Sequence, residues 1–312
     1  MFSEYQVGRT PNPDILCNEF IKFGVWLEWA LKNGFDYLAT GHYANVRNTR
    51  RAEDRFSASR RAKLYENTKI RNWFDLLSAK DKNKDQTYFL HRLNQEQLAH
   101  TLFPIGNLLK SEVRKLARQF KLPNAEREES MGICFVGEVP MKDFLQKKIK
   151  IKTGKIIFGE NEVVGEHDGV AFYTIGERVS GQIKKNKEQR TNDKLLFVVD
   201  KDIAKNLLYV GFEDDVRLYK KEIRLTDGHF INRQLLVFPL KCQVRLRHRQ
   251  PLQNATLFVK EQMTKNKLLA VNLPCRQAGY WLLTSKPQRA PTPGQFAVVY
   301  LEGICLGGGV IQ

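Results

Sequence analysis

The period of the apolar residues changes after Pro140, and that change constrains the fold more than any other feature of the sequence. Upstream, IKFGVWLEWALKNG places Ile21, Val25, Leu27, Trp29 and Leu31 in a helical segment that stops at Asn33-Gly34, a good C-terminal signal. The next stretch, FDYLATGHYANV, predicts a short buried strand over Tyr37 to Thr40 that ends in Gly41-His42. A helix leading into such a strand is half of an α/β unit, in which ligands bind beyond the carboxyl ends of the strands. QTYFLHRLNQEQLAHTLFP and KSEVRKLARQFKL add helical segments, the second with Ser111 as its N-cap. Downstream, KTGKIIFGENEVVGEHDGVAFYTIG and KLLFVVDKDIAKNLLYVG alternate at period two between Gly and Asn punctuation. IRLTDG, KCQVRLRHR, NATLFVK, KLLAVNL, QFAVVYLEG and CLGGGVIQ follow at the spacing of a small barrel. The sequence therefore predicts an α/β domain over residues 1–144, a β-rich central domain over 145–212 and a β-barrel over 213–312. Within the first, the stretch from about 47 to 80 is basic and irregular and reads as an insertion whose ends bury little.

Charge narrows the partner. Lys and Arg total 51 against 34 Asp and Glu, a formal charge of +17, which is more than solubility requires. The excess gathers in Arg47 to Lys84, in Lys142 to Lys155 and in KCQVRLRHR, and such clustering points to a nucleic acid; a solvated basic surface is the bland alternative. No apolar run approaches the roughly 18 residues of a spanning helix, so no membrane partner is expected. Five cysteines, at 17, 134, 242, 275 and 305, form no CxxC pair and no Cys/His zinc spacing, so no metal site is expected, and the odd, sparse set argues for a reducing compartment and against a disulfide scaffold. MFSEYQVGRT lacks the apolar core of a signal peptide.

Four stretches could carry chemistry. In PNPDILCN the two X-Pro steps favour extended backbone, and Asp14 can cap a helix beginning at Ile15 with Cys17 in its first turn. There the exposed N–H groups and the helix dipole would favour the thiolate, with Asp14 near enough to exchange a proton. The alternative is a capping Asp followed by a small buried Cys. Cys134, in SMGICFVGE, lies between Gly132 and Gly137, on a turn or strand end. His42 follows a strand end, and Lys84, Asp85 and Gln86 supply a cation, an acceptor and an amide suited to a phosphate and a base edge. On a strand, Arg245, Arg247 and Arg249 would form a phosphate ladder on one face with His248 opposite.

GRTPNPDILCN, ATGHY, KDQTYFL and SMGICFVGE, with GEHDGVAFYTIGERVSG, TPGQFAVVY and CLGGGVI later, closely resemble the tRNA-specific 2-thiouridylases, and the resemblance covers essentially the whole chain. It implies an adenine-nucleotide-hydrolase-like parallel sheet domain, then the β-rich domain and the barrel. It also implies 2-thiolation of the wobble uridine of tRNA, position 34: ATP, with Mg, adenylates the base and a cysteine persulfide supplies sulfur. By the same resemblance Cys134 receives the persulfide, Cys17 attacks it and leaves a disulfide between the two, and Asp14 is the acid/base residue. Asn12, Pro13 and Asp14 surround the target base, Gly41 contacts ATP, and His42, Lys84, Asp85, Gln86, Arg247, His248 and Gln295 touch tRNA. Partners implied are tRNA and a persulfide carrier or cysteine desulfurase, in the cytoplasm or, alternatively, the mitochondrial matrix.

One departure from the family pattern is large. A glycine- and serine-rich loop of the SGGVDSS type is expected after a first strand, yet the chain begins downstream of its place, and the Gly307 to Gly309 run lies in the barrel region. The chain thus reads as a truncated family member that keeps its thiols and tRNA surfaces without the ATP loop, and that alone binds tRNA weakly and does not thiolate it. The rival readings are a non-catalytic tRNA-binding protein and a thiol relay acting without nucleotide.

Overall fold

The computed structural model describes residues 1–49, 73–127, 140–179, 195–233, 236–259 and 279–312. Short helices α1 (Phe2–Gln6) and α2 (Pro13–Leu16) open the first unit, and α2 runs without a break into a π-helix, Cys17–Trp26, and then α3, Leu27–Lys32. Asn33 ends the helix and Gly34 takes φ +83°, the left-handed stop that its sequence signals. Strand β1 (Leu38–Ala39) pairs parallel with β4 (Thr101–Leu102). The sequence reads a buried strand here; instead Tyr37 and Leu102 are exposed, together with Val25, Trp26 and Trp29. The residues that turn inward from the helix are Phe23, Leu27 and Ala30. Among the described residues β1 and β4 have no further neighbour in their sheet, and that is why the pair stays uncovered.

The stretch read as an insertion anchors at both ends. Strands β2 (Ala44–Asn48) and β3 (Phe74–Ser78) pair antiparallel, with Val46 opposite Leu76, and β3 continues onto the barrel through Ile304 opposite Leu77. Leu76 is fully buried, and Arg47 pairs with the buried Asp75 at 2.7 Å. Two of the predicted helices also shift. QTYFLHRLNQEQLA divides into α4 (Thr87–Leu90) and α5 (Gln95–Ala99), because Asn94 caps α5 by accepting from Gln97 N at 2.8 Å. Helix α6 (Lys110–Gln119) starts before Ser111: Glu112 accepts from Leu109 N and Asp81 from Lys110 N, so two carboxylates do the capping.

The central unit is a five-stranded sheet in the order β6-β5-β9-β8-β7, with β5 Gly154–Phe158, β6 Glu162–His167, β7 Arg178–Val179, β8 Leu196–Asp202 and β9 Leu207–Gly211. The third unit closes into a barrel of six strands, β10 (Tyr219–Phe230), β13 (Tyr280–Arg289), β12 (Gln253–Val259), β11 (Leu240–Arg245), β14 (Phe296–Leu301) and β15 (Ile304–Ile311), sealed by pairing of β10 with β15. Its glycine run serves close strand approach rather than phosphate binding: a Cβ on Gly307 would sit 2.1 Å from His229 O. The sequence reading missed β13, which contains Pro287 where the register with β10 shifts; its KLLAVNL candidate lies outside the described residues. Strand β14 is buried on both faces. Ala297 and Val299 enter the barrel core, whereas Phe296, Val298 and Tyr300 pack with Ile15, Phe23, Leu76 and Tyr88 of the first unit. The first and third units therefore share one core.

Candidate active site

The stretch PNPDILCN begins α2, with Asn12 as N-cap: its Oδ1 accepts from Ile15 N at 3.3 Å and Pro13 takes the first helical position. Asp14 is thus a first-turn residue and not the cap. Proline needs no partner at that position and asparagine caps as well as aspartate, which displaces the start by two residues. Cys17, half-buried, falls two residues deeper than the sequence reading placed it, past the first turn, and the dipole field fades within that turn. Asp14 O accepts from Cys17 N, and the spacing of three puts the carboxylate and the thiol on one helix face.

From Cys17 the helix widens to π geometry, a form rare at this length and associated with functional sites. Gly24 permits it, since a Cβ there would lie 3.1 Å from Glu19 O. Side chains from the following segment hold it in place: Asn18 Nδ2 donates to Phe89 O at 3.2 Å and Gln97 Nε2 to Phe23 O at 2.8 Å. Arg92, 5% exposed, pairs with Glu19 at 2.5 Å and with Asp227 of β10 at 2.9 Å. No sequence signal marked Arg92, because its partners are 73 and 135 positions away.

The barrel grips the same loop. Gln295 Nε2 donates to Thr10 O at 2.8 Å and to Pro11 O at 3.4 Å, while its Oε1 accepts from Asn12 Nδ2 at 3.4 Å. Thr10 N donates to Pro293 O, and the Thr10 hydroxyl meets that of Thr174 in the central unit at 3.2 Å. Phe89, whose carbonyl accepts from Asn18, packs against His248 with ring centroids 4.4 Å apart and the planes tilted by 50°. Gln295 therefore holds the turn that carries Asn12, Pro13 and Asp14 directly, while His248 reaches the helix after Cys17 through Phe89 and Asn18. Cys134 lies outside the described residues.

Other predicted contacts take structural positions. Asp85 is 2% exposed and accepts from Arg245 Nη1 at 2.6 Å, Thr87 Oγ1 and Ala79 N. Gln86 is clipped to Tyr43, its Oε1 accepting from Tyr43 N and its N donating to Tyr43 O. Lys84 is half-buried at the start of that triplet. His42 packs between Phe23 and Phe103 with Nδ1 2.9 Å from Thr40 Oγ1, and burial pulls its pKa down to about 3, so it stays neutral. The arginine ladder does not form: β11 ends at Arg245, and the chain turns where Gln250 N donates to Arg247 O. Arg245 is buried on Asp85, the Arg247 guanidinium donates to Ala290 O at 2.7 Å, and Arg249 takes φ +64°.

Gly41 follows the carboxyl end of β1, and a Cβ there would meet nothing within 4 Å. Among the described residues no glycine-rich turn leads from a strand into a helix. No described helix is long and apolar enough to cross a membrane.

Comparison with known proteins covers all three units. The family model described as the tRNA methyl transferase HUP domain matches residues 1–138, the tRNA methyl transferase PRC-barrel domain 142–212, and the aminomethyltransferase beta-barrel domain 220–311. The tRNA-specific 2-thiouridylase MnmA of Acinetobacter baumannii (strain ACICU) is 38% identical over 316 residues, covering 99% of this chain and 75% of that protein. The proteins of the same name from Streptococcus agalactiae (serotype III, strain NEM316) and Alkaliphilus oremlandii (strain OhILAs) are 39% and 40% identical over 99% of this chain, and 73% and 74% of their own lengths are covered.

Proposed function

This chain belongs to the tRNA-specific 2-thiouridylase family, and we propose that it is a tRNA-uridine 2-sulfurtransferase acting on the wobble uridine. The supporting observation is the grip of Gln295, at the barrel face, on the turn that presents Asn12, Pro13, Asp14 and Cys17, with His248 reaching the helix that follows through Phe89 and Asn18. A base extruded from the anticodon loop would enter between that turn and the barrel, with Asn12 to Asp14 around it and Arg247 answering RNA phosphate. ATP, when bound, activates the C2 oxygen as a leaving group, and Gly41 is the described residue assigned to it.

The chain's own residues carry the sulfur. A persulfide donor, a carrier protein or cysteine desulfurase, charges Cys134. The Cys17 thiolate attacks Cys134 Sγ, the Cys17–Cys134 bond forms, and the terminal S–S bond breaks with its electron pair leaving on sulfide. Sulfide then attacks C2 of the activated uridine and displaces the C2 oxygen. Asp14, on the same helix face as Cys17, takes up the thiol proton.

The test charges the full chain with persulfide and follows released sulfide, the intramolecular disulfide, and 2-thiouridine in a wobble-uridine tRNA with ATP. Wild type should release one sulfide per chain and close the disulfide. Cys17→Ser releasing sulfide at the wild-type rate would refute the assignment.

A further inference from the structure

A cleft of about 200 Å³ opens where the three units meet, and neither Asp14 nor Cys17 lines it. Val7, Gly8 and Arg9 form one wall, Lys201 and Ile203 of the β8 end a second, and Ala290, Pro291 and Pro293 a third, with Arg217 and Lys220 beside them. Asp200 is the single carboxylate among its lining residues, against four cationic side chains. Glu4 fixes the Arg9 guanidinium at 2.5 and 2.9 Å, and Asp215 fixes that of Arg217 at 3.0 and 2.7 Å, so both point in set directions. The ammonium of Lys201 donates to Tyr173 O at 2.8 Å, which uses one of its three protons.

The close packing is specific. Gly8 has φ +79°, a conformation that residues other than glycine rarely adopt, and a Cβ there would lie 2.6 Å from Ile203 Cδ1 and displace that side chain. Ala290 holds φ +48° beside Gly176, and its carbonyl accepts both from Ala290's neighbour Thr292 Oγ1 at 3.0 Å and from Arg247 at 2.7 Å. One wall of the cleft therefore positions the arginine assigned to tRNA. Burial draws Lys201 down to about 8 against the attraction of Glu177 and Asp200. An anion in the cleft would relieve that cost, since it favours the charged form.

We propose that this three-way cleft is a phosphate-binding site in which Lys201 and Lys220 hold the oxyanion and the proline wall takes its ester carbon. The phosphate comes either from an RNA backbone or from free phosphate or a small phosphate monoester. The site itself does not depend on the thiolation reading; only the RNA source does.

The experiment uses the full chain. Thermal unfolding and ³¹P line broadening are followed in inorganic phosphate, with sodium chloride at matched ionic strength as control, for wild type, Lys201→Met, Gly8→Ala and the exposed Lys220→Gln. Saturable stabilisation by phosphate is expected, about tenfold weaker or more in Lys220→Gln. Lys220→Gln keeps the test decisive should Lys201→Met fail to fold. The second arm measures tRNA affinity against salt. Competition by phosphate, with a salt slope shallower in Lys220→Gln by roughly 0.7–0.9, assigns the site to the RNA backbone. Phosphate binding that is lost in Lys220→Gln without competition or a slope change assigns it to free phosphate. No saturable effect of phosphate, or one unchanged in Lys220→Gln, overturns the proposal, whatever the outcome of the sulfide-release test.

Discussion

Gln295→Leu tests whether the barrel positions the Asn12 to Asp14 turn or merely touches RNA beside it. Both polar ends of the Gln295 amide are engaged within the protein, on Thr10 O at 2.8 Å, Pro11 O at 3.4 Å and Asn12 Nδ2 at 3.4 Å. The first bond has good length and the other two are long, so the set contributes about 1.5–2.5 kcal/mol at roughly 1 kcal/mol per well-made bond. Leucine keeps the volume and removes all three. The apparent Tm should fall by about 3–6 °C, and tRNA affinity should fall by about tenfold as the turn loosens. Asn12→Ala alone removes the helix cap and costs about 1 kcal/mol. Because Asn12 and Gln295 act on one turn, the double variant should depart from additivity by 0.5 kcal/mol or more, roughly the smallest coupling that neighbours show. Thermal melts and filter binding on the four proteins of the cycle read both quantities. Unchanged Tm with additive losses of affinity would mean that Gln295 meets RNA directly and that the anchoring argument is wrong.

Acid should destabilise the protein below pH 6.5: His42 and His91 are buried and held neutral, each with its pKa lowered to about 3, so the unfolded chain binds the extra protons. Stability is complete above 6.5 and is lost towards 3 at about 1.4 kcal/mol per pH unit for each histidine; His42→Phe should flatten the measured slope, and an unaltered slope would contradict it. Thiol labelling of the native chain at pH 8 should modify Cys17 and spare Cys242, which burial raises to about 12, and Cys305, which burial also raises; mass mapping of the adducts decides. Asp85→Ala strands the buried Arg245 and should cost about 3–5 kcal/mol in urea unfolding, whereas a residue that only contacted RNA would change affinity alone.

Local chemistry was legible and long-range packing was not. The stop at Asn33-Gly34, the change of period after Pro140 and most barrel strands follow from a few adjacent residues, so the sequence displays them. The sequence reading took Asp14 as the cap, but Asn12 caps as well as an aspartate does, and the proline between them, as a first-turn residue, is what separates the two registers. Arg245, Arg247 and Arg249 looked like a ladder because strand alternation was carried past Arg245, where Leu246 N donates instead to Gln250 Oε1 at 2.7 Å. Asp85 looked like a recognition residue because no local pattern shows that Arg245 lies 160 positions on and 2.6 Å away. The π-helix left one trace, Gly24, which a helix reading treats as a mere weakness.

Strand β14 explains why these long-range features gather at one place. Its alternate residues fill two cores, Ala297 and Val299 within the barrel, and Phe296, Val298 and Tyr300 against the segment that carries Cys17. Gln295, immediately before it, holds the Asn12 turn, and Arg92 ties Glu19, two residues beyond Cys17, to Asp227 of β10. Deleting the barrel would strip Ile15, Phe23 and Tyr88 of their cover and leave Arg92 with half its partners, so the first unit is not expected to fold without it. The barrel face and the placement of the thiol are then properties of one packed body, and a substitution in β14 should disturb both the Cys17 segment and the tRNA affinity proposed for the barrel.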